Sequence, residues 1–175
     1  DRRVGVASGG CAGGEGVHGD VSALPRQGRR QLLDQVPVAA PHAALAVPSG
    51  LTATTLPLLA LARPGDHILV TDAVYGPTRR FCDLHLKRLG VEVTYYDPLL
   101  GADIAREFRR TTKLVFTESP GSLTFEVQDI PAIAAVAHAR EAVVVLDNTW
   151  ATPLNFRAFD HGVDVSVHAA TKYIG

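Results

Sequence analysis

Two polar segments near the C-terminal end of the sequence combine residue types that could act together on one ligand. Asp147 opens the segment Asp-Asn-Thr-Trp directly after the apolar run 142–146, and Lys172 follows the alternating run 163–167. If both runs are neighbouring strands of a parallel sheet, their carboxyl ends place a carboxylate and an amine side by side at the edge where ligands bind. Taken singly, each residue has a simpler explanation as a cap or a solvated lysine. Only their combination favours a functional site.

Two further segments could complete such a site. Ser49 is a plausible N-cap for a helix that starts at Gly50, and unpaired amides at a helix N-terminus bind phosphate without a basic side chain. Ser-Gly is also a common boundary signal before helices in general, so this motif alone is weak evidence for a phosphate site. Tyr75 follows another predicted strand, where it could either fill a turn or lie over an aromatic ligand. Turn filling is the default interpretation.

The elements that must position these residues follow an alternating pattern. Short β-branched runs alternate with helical patterns after Val47, which predicts βαβ units and a mostly parallel sheet flanked by helices, the α/β class. The predicted strands cover residues 67–71, 91–95, 113–117, 142–146 and 163–167. The predicted helices cover about 49–62, 76–89, 102–110 and 130–140, with a short turn near 156–161.

Composition limits the classes of function. The 175 residues carry a formal net charge of −1, which favours small polar metabolites over nucleic acid or an acidic membrane as partners. The two cysteines match no metal or disulfide spacing, and the histidines form no ligand pair, so we expect a cytoplasmic protein without a metal site. No apolar run is long enough to cross a bilayer.

Residues 1–46 differ from the remainder of the chain. Half of the 16 glycines lie before residue 29, and this Gly/Arg-rich stretch has no helical or alternating periodicity. The sequence therefore predicts two parts, an unassigned segment 1–46 that is disordered or even translated out of frame, and a folded domain 47–175.

Five ordered motifs in residues 47–175 together carry a resemblance to a known family. They are Pro48-Ser-Gly-Leu51, Tyr75-Gly-Pro-Thr78, Glu118-Ser-Pro-Gly-Ser-Leu-Thr-Phe-Glu-Val127, Asp147-Asn-Thr-Trp-Ala-Thr-Pro153 and Ala170-Thr-Lys-Tyr173. In this order they resemble the Cys/Met-metabolism family of pyridoxal-phosphate (PLP) enzymes. The pair Ser122-Leu123 resembles its β-lyase branch, because γ-synthases and γ-lyases usually have Asn-Pro at that point.

The resemblance implies a fold, a cofactor and a reaction. The fold would be part of the large PLP-binding domain of the aspartate-aminotransferase-like (type I) fold. The reaction would be β-elimination of cystathionine to homocysteine, pyruvate and ammonia, in methionine biosynthesis, by an enzyme whose intact members are homotetramers. A γ-synthase or γ-lyase and a non-catalytic truncated fragment remain alternatives. A dinucleotide-binding module is disfavoured because the sequence lacks its glycine fingerprint.

The resemblance also implies a role for each candidate residue. The amides of Gly50 and Leu51 and the hydroxyl of Thr171 would hold the cofactor phosphate. Tyr75 would stack on the pyridine ring, and Asp147 would pair with the ring nitrogen. Lys172, in a buried cationic neighbourhood, would form the Schiff base and then act as the base at the substrate Cα. The catalytic residues would thus be Lys172 and Tyr75.

Several departures from the family pattern limit these expectations. Ala169 stands where the family normally has a serine that contacts the phosphate, and residues 1–46 lack the family's Tyr-x-Arg motif. Pro57 lies inside the first predicted helix, where proline costs about 3 kcal/mol unless the helix is kinked. The chain also stops three residues after Lys172, so the sequence predicts a fragment without the arginine that binds the substrate carboxylate.

Overall fold

A seven-stranded parallel sheet is the centre of the protein in the computed structural model, which describes residues 4–8 and 43–173. The strand order across the sheet is β2-β1-β7-β6-β5-β3-β4, and every neighbouring pair is parallel. The strands are β1 (Val4–Ser8), β2 (Ala43–Val47), β3 (His67–Thr71), β4 (Glu92–Tyr96), β5 (Thr112–Glu118), β6 (Val143–Asp147) and β7 (Val165–His168).

The five predicted strands correspond to β3 through β7. The bounds of β3 are those predicted, and the ends of the other four differ from the prediction by two residues at most. For β3, β5 and β6 the agreement follows from burial, since parallel strands covered on both faces are continuous apolar runs, whereas β4 and β7 have alternating residue types. The expected α/β class with a mostly parallel sheet is therefore confirmed.

Strand β1 and all of β2 except Val47 lie in the segment 1–46, for which the sequence predicts no structure. They add two parallel strands beyond β7, with β1 paired to both β7 and β2. A five-residue run that contains glycine, as in β1, carries too little local signal to be recognised, and its pairing depends on the free edge that β7 offers. The expectation of a disordered or out-of-frame segment otherwise concerns residues outside the described ones.

Side chains of the central strands point alternately to the two faces of the sheet and form two cores, one on each face. On one face, Ile68 and Val70 of β3 pack with Phe116 of β5. On the other face, Leu69 of β3 and Val115 of β5 pack in a second cluster. All five side chains have no exposed surface, because successive residues of a strand point to opposite faces and both faces are covered.

Helices cover both faces. Helices α1 (Gly50–Leu61) and α2 (Gly76–Phe81), the latter continued by a π-turn to Leu86 and a 3-10 turn to Leu89, supply side chains to the first core or border it. Helix α3 (Ile130–His138) and the 3-10 turns Gly101–Arg106 and Ala158–His161 cover the second core. Two short helices, α4 (Thr152–Asn155) and α5 (Ala170–Tyr173), lie after β6 and β7.

Two local features differ from simple expectation. The helix predicted over 102–110 is instead the 3-10 turn Gly101–Arg106, in which Ile104 is the one buried residue and no apolar face forms. Helix α1 continues through Pro57, which is buried against the core side of the helix. Packing therefore retains the helix where local propensity opposes it.

Within the described residues, no helix combines the length and apolar character needed to cross a membrane.

Candidate active site

The carboxyl ends of three adjacent strands carry the chemistry. Strand β6 pairs with β5 and β7, and the register sets Asp147 of β6 directly beside Glu118 of β5 and Val167 of β7. The adjacency on which the sequence argument depended is therefore present, because the segment that contains Lys172 begins immediately after β7.

A cavity of about 470 Å³ opens at this edge of the sheet. Its size lies within the roughly 300–1,000 Å³ usual for small-ligand pockets. The structure brings all six predicted site residues into its wall: Gly50, Leu51, Tyr75, Asp147, Thr171 and Lys172. These six residues come from four separate chain segments, and residues of the segment 118–125 also line the cavity, so all five motifs meet there.

Lys172 lies on α5, at one side of the cavity. Its Nζ is 5.3 Å from the centroid of the Tyr75 ring, so the amine and the aromatic face are in cation–π range. The residue is exposed in this structure, which corrects the expectation of a buried cationic neighbourhood. Helix α5 is a single turn in which Ala170 is the buried residue.

Asp147 lies deeper in the cavity, with only 8% of its surface exposed. Its Oδ1 accepts a 3.0 Å hydrogen bond from the Thr149 amide. Burial raises the pKa of Asp147, while the bonds from Thr149 and the charge of Lys172 act in the opposite direction. Such a carboxylate would gain from a cationic partner in the cavity.

Thr149 ties the Asp147 segment to the Lys172 segment. The hydroxyl Oγ1 of Thr149 accepts a 2.8 Å hydrogen bond from the Ala169 amide. The side chain therefore holds the loops after β6 and β7 at a fixed separation. Ala169 also lines the cavity, at the position where the resembled family has a serine.

The start of helix α1 forms another wall. Ser49 is its N-cap as predicted, with Oγ accepting from the Thr52 amide at 3.1 Å. The first amide that bonds within the helix is that of Ala53, to the Ser49 carbonyl at 3.0 Å. Gly50 and Leu51 precede it, so their amides are among the four that a helix leaves without an internal acceptor. The free amides and the helix dipole therefore favour an anion at the start of α1.

Tyr75 and Glu118 face the cavity together, and sequence reasoning missed the role of Glu118. The Tyr75 amide donates a 2.8 Å hydrogen bond to Glu118 Oε2, and Tyr75, which is 40% exposed, lines the cavity. Glu118 lies at the carboxyl end of β5, as Asp147 does at the end of β6, and that position is the sequence signal for its role.

An aromatic cluster completes the mouth of the cavity. The Trp150 ring lies 5.8 Å from that of Phe125 and 5.1 Å from that of Tyr173, in tilted arrangements. These three residues line the cavity and remain partly exposed. The described residues contain no group of three His, Cys, Asp or Glu side chains placed to hold a metal ion.

Comparison with known proteins identifies the family. The model of the family described as "Cys/Met metabolism PLP-dependent enzyme" matches residues 32–175. This chain belongs to that family. The match begins upstream of Val47, so the similarity extends further toward the N-terminus than the five motifs.

Individual relatives of this Cys/Met-metabolism chain include lyases and a synthase. A Rhizobium johnstonii protein, provisionally named a cystathionine beta-lyase, is 67% identical over 127 residues, 73% of this chain and 32% of its own length. Cystathionine beta-lyase MetC of Escherichia coli is 46% identical over 73% of this chain and 33% of its own length. Cystathionine gamma-synthase 1 of Arabidopsis thaliana is 43% identical over 75% of this chain and 23% of its own length. The chain spans about a third of the length of the two lyase relatives.

Solved structures agree with this assignment. The crystal structure of metB from Corynebacterium glutamicum aligns with a TM-score of 0.69 and 32% identity, over 71% of this chain and 32% of that one. A Campylobacter jejuni chain that contains N'-pyridoxyl-lysine-5'-monophosphate aligns with a TM-score of 0.65 and 33% identity, over 71% of this chain and 31% of that one. The members of this family are enzymes whose cofactor is PLP.

The donor set around the cavity fits this cofactor. A buried carboxylate suits a protonated pyridine nitrogen, because an N–H⁺ group offsets the cost of removing the carboxylate from water. Free amides at a helix start suit a phosphate, and a primary amine suits an aldehyde. Asp147, the start of α1 and Lys172 supply one of each within the same cavity.

Proposed function

We propose that this chain forms the cofactor-anchoring part of a carbon–sulfur lyase that splits cystathionine by β-elimination into homocysteine, pyruvate and ammonia. The observation that carries the proposal is the convergence of Asp147, Lys172 and the open amides of α1 in one cavity. The family assignment supports the enzyme class. The specific substrate and the direction of cleavage are part of the proposal.

In the proposed site the residues divide the work of holding the cofactor. Gly50 and Leu51 donate their amides, and Thr171 its hydroxyl, to the phosphate. Asp147 pairs with the ring nitrogen and Tyr75 covers one face of the ring. Lys172 provides the amine for the covalent link. When bound, PLP supplies an acceptor for the electron pair released at the substrate Cα.

The proton movements fall to Lys172. Lys172 would hold PLP through its Nζ and, once freed by the substrate amine, would take the proton from the substrate Cα. The Cβ–S bond then breaks, and the sulfur leaves as the thiolate of homocysteine. One water molecule completes the release of pyruvate and ammonia. An ionised Asp147 assists because its charge keeps the ring nitrogen protonated.

Ser122 and Leu123 support β-elimination over the γ-reactions, since the γ-branch usually has Asn-Pro at that point. The lyase relatives in Rhizobium johnstonii and Escherichia coli support the same choice. The alternative is a γ-synthase or γ-lyase, which the Arabidopsis thaliana relative favours. Product analysis separates them, since β-elimination of cystathionine yields pyruvate and γ-elimination yields 2-oxobutanoate.

Borohydride trapping tests the anchoring role directly. The chain contains three lysines, Lys87, Lys113 and Lys172, of which Lys172 lines the cavity. After incubation with PLP and reduction, we expect a pyridoxyl adduct on Lys172 by peptide mass spectrometry. The variant Lys172→Ala should lose that adduct, while Lys87→Ala, which removes an exposed ion pair with Asp83, should retain it. Adducts confined to Lys87 or Lys113 would refute the assignment.

Assembly and location belong to the same proposal. We infer a cytoplasmic homotetramer for the intact enzyme, supported by the family assignment and by a cysteine content without disulfide spacing. Analytical ultracentrifugation checks the assembly, and a monomeric intact enzyme would contradict it.

A further inference from the structure

Glu118 joins two loops at the mouth of the cavity. Its Oε2 accepts a 2.8 Å hydrogen bond from the Tyr75 amide, and its Oε1 accepts a 2.5 Å bond from the Ser122 hydroxyl. The side chain is 7% exposed, so both bonds form where water competes little. A single carboxylate thus contacts the loop after β3, which carries Tyr75, and the loop after β5, which carries Ser122.

The same two loops are packed against each other by the backbone. The Ser122 amide donates a 2.8 Å hydrogen bond to the Ala73 carbonyl. Gly121 approaches Ala73 so closely that a Cβ at Gly121 would lie 2.5 Å from the Ala73 Cβ. The contact between the loops is therefore specific in shape as well as in hydrogen bonding.

The loop after β5 needs an external constraint. Leu123 and Phe125 adopt positive φ angles of 68° and 61°, a conformation that non-glycine residues hold only when their surroundings enforce it. Leu123 is 90% exposed and Phe125 57% exposed, so their own side chains supply little of that enforcement. Constraints close to them are the bond from Ser122 to Glu118, the docking of Gly121, and a 2.9 Å hydrogen bond from the Gly121 amide to the Glu126 carbonyl that closes the loop on itself.

We propose that Glu118 is a positioning residue whose carboxylate clamps the Tyr75 loop to the Ser122 loop and thereby fixes the Tyr75 ring over the cofactor position. The inference rests on the proposed function, because it assigns the clamp to the PLP site. Glu118 acts through Tyr75 and Ser122 and takes no part in proton transfer to the substrate.

The clamp is electrically coupled to the site. Asp147 lies beside Glu118 on the neighbouring strand, and the cation that faces both is Lys172. Burial and then the charge of Asp147 raise the pKa of Glu118 to about 7, against the bonds from Ser122 and Tyr75 and the charge of Lys172. The charge of the clamp therefore changes close to neutral pH.

Variants at Glu118 and Ser122 distinguish the hydrogen bonds of the clamp from its negative charge. Glu118→Ala removes both contacts. Glu118→Gln keeps them, because the amide oxygen accepts from Tyr75 and the amide nitrogen donates to the Ser122 hydroxyl. Ser122→Ala removes one contact, and Glu141→Gln, at an exposed position outside the cavity, is the charge-matched control.

The first measurement is PLP binding, followed by the visible absorption of the imine across roughly pH 5 to 9. For Glu118→Ala we expect the dissociation constant to rise roughly tenfold or more, and for Ser122→Ala a smaller rise, as lost charge-assisted hydrogen bonds predict. For Glu118→Gln the dissociation constant should stay within about threefold of that of the unaltered chain. The change in imine absorption near neutral pH that ionisation of Glu118 produces should be lost in this variant. Unchanged affinity in Glu118→Ala, or equal losses in Glu118→Gln and Glu118→Ala, would overturn the proposal.

The second measurement needs no cofactor. Limited chymotrypsin digestion reports the loop directly, because Leu123 and Phe125 are exposed cleavage positions. Cleavage there should accelerate in Ser122→Ala and Glu118→Ala and stay unchanged in Glu118→Gln and Glu141→Gln. If the unaltered chain fails to form an adduct with PLP, the proposed function is wrong, and the digestion still decides the clamp. If Glu118→Ala does not fold, Ser122→Ala and Glu118→Gln carry the comparison, and equal cleavage in both would refute it.

Discussion

At the scale of single residues, the site depends on two buried carboxylates on adjacent strands that face one amine. Asp147 and Glu118 occupy equivalent positions at the ends of β6 and β5, yet their contacts differ. Asp147 accepts from Thr149, in its own loop, whereas Glu118 accepts both from Ser122, in its own loop, and from Tyr75, in the loop after β3. The first is available for a cofactor and the second is engaged by the protein.

Substitution of Asp147 tests that division of roles. In the intact enzyme, Asp147→Asn should lower kcat by roughly a hundredfold or more, since a neutral amide cannot hold the ring nitrogen protonated. The borohydride adduct on Lys172 should persist, because imine formation does not require the ring charge. Steady-state kinetics and peptide mapping measure both. Asp160→Asn, at an exposed ion pair with Arg157, is the control, and unchanged turnover in Asp147→Asn would contradict the role.

At the scale of elements, the short polar segments are positioned by the ends of strands and the beginning of one helix. Strands β3, β5 and β6 could be predicted because they are runs of apolar residues buried on both faces, and β4 and β7 because their β-branched and aromatic residues alternate with polar ones. The N-cap Ser49 could be predicted because capping is local chemistry. The 3-10 turn at Gly101–Arg106 was mistaken for a helix, since one buried residue cannot distinguish a turn from an amphipathic helix.

Contacts between segments were harder to predict than the elements themselves. The bonds of Glu118 to Tyr75 and Ser122 join loops that follow different strands, and Tyr75 lies 43 residues from Glu118 in sequence. No local pattern specifies such a contact. The strands β1 and β2 were missed for a related reason, because each depends on a partner strand distant in sequence.

The cap of helix α1 supports a prediction at this scale. Ser49→Ala should lower the free energy of unfolding by about 1 kcal/mol, because the Thr52 amide loses its acceptor. It should also weaken PLP binding by a few-fold, since the Gly50 and Leu51 amides would be less well held. Ser49→Asn retains a capping oxygen and should restore both. Chemical denaturation and PLP titration measure the two effects, and equal behaviour of the Ala and Asn variants would show that the cap does not matter.

The close contact at Gly121 gives a second prediction about elements. Gly121→Ala places a methyl group 2.5 Å from the Ala73 Cβ, so one of the two loops must move. We expect a loss of about 1–3 kcal/mol in stability, as for other overpacked sites, together with faster proteolysis at Leu123. Gly76→Ala is the matched control, since a Cβ there meets no atom within 4 Å. Equal stability of both variants would refute the docking.

At the scale of the whole molecule, the strand order determines which buried groups border the cavity. Ser166 and His168 of β7 point to the face opposite the core packed by Val165 and Val167. His168 Nε2 lies 3.0 Å from the Ser166 Oγ, and the residue does not line the cavity. The side chain belongs to the structural part of the sheet although it lies only four positions before Lys172.

The buried side chains of His168 and Glu118 should make opposed contributions to the pH dependence of stability. Burial lowers the pKa of His168 to about 4, so the unfolded chain binds more protons than the folded chain between about pH 4 and 6.5, and stability rises with pH there. The raised pKa of Glu118, about 7, has the opposite sign, so its contribution falls between about pH 4.5 and 7. In the unaltered chain the two slopes partly cancel.

Single variants should reveal each slope. Relative to the unaltered chain, Glu118→Gln should gain stability as pH rises from about 4.5 to 7, because the cost of ionising a buried carboxylate is removed. His168→Gln, which keeps a polar group within reach of Ser166, should lose relative stability over about pH 4 to 6.5, by up to about 3 kcal/mol. Urea denaturation at stepped pH measures both. Parallel profiles in the two variants would contradict the assignment, because groups whose pKa shifts have opposite signs must change the pH slope in opposite directions.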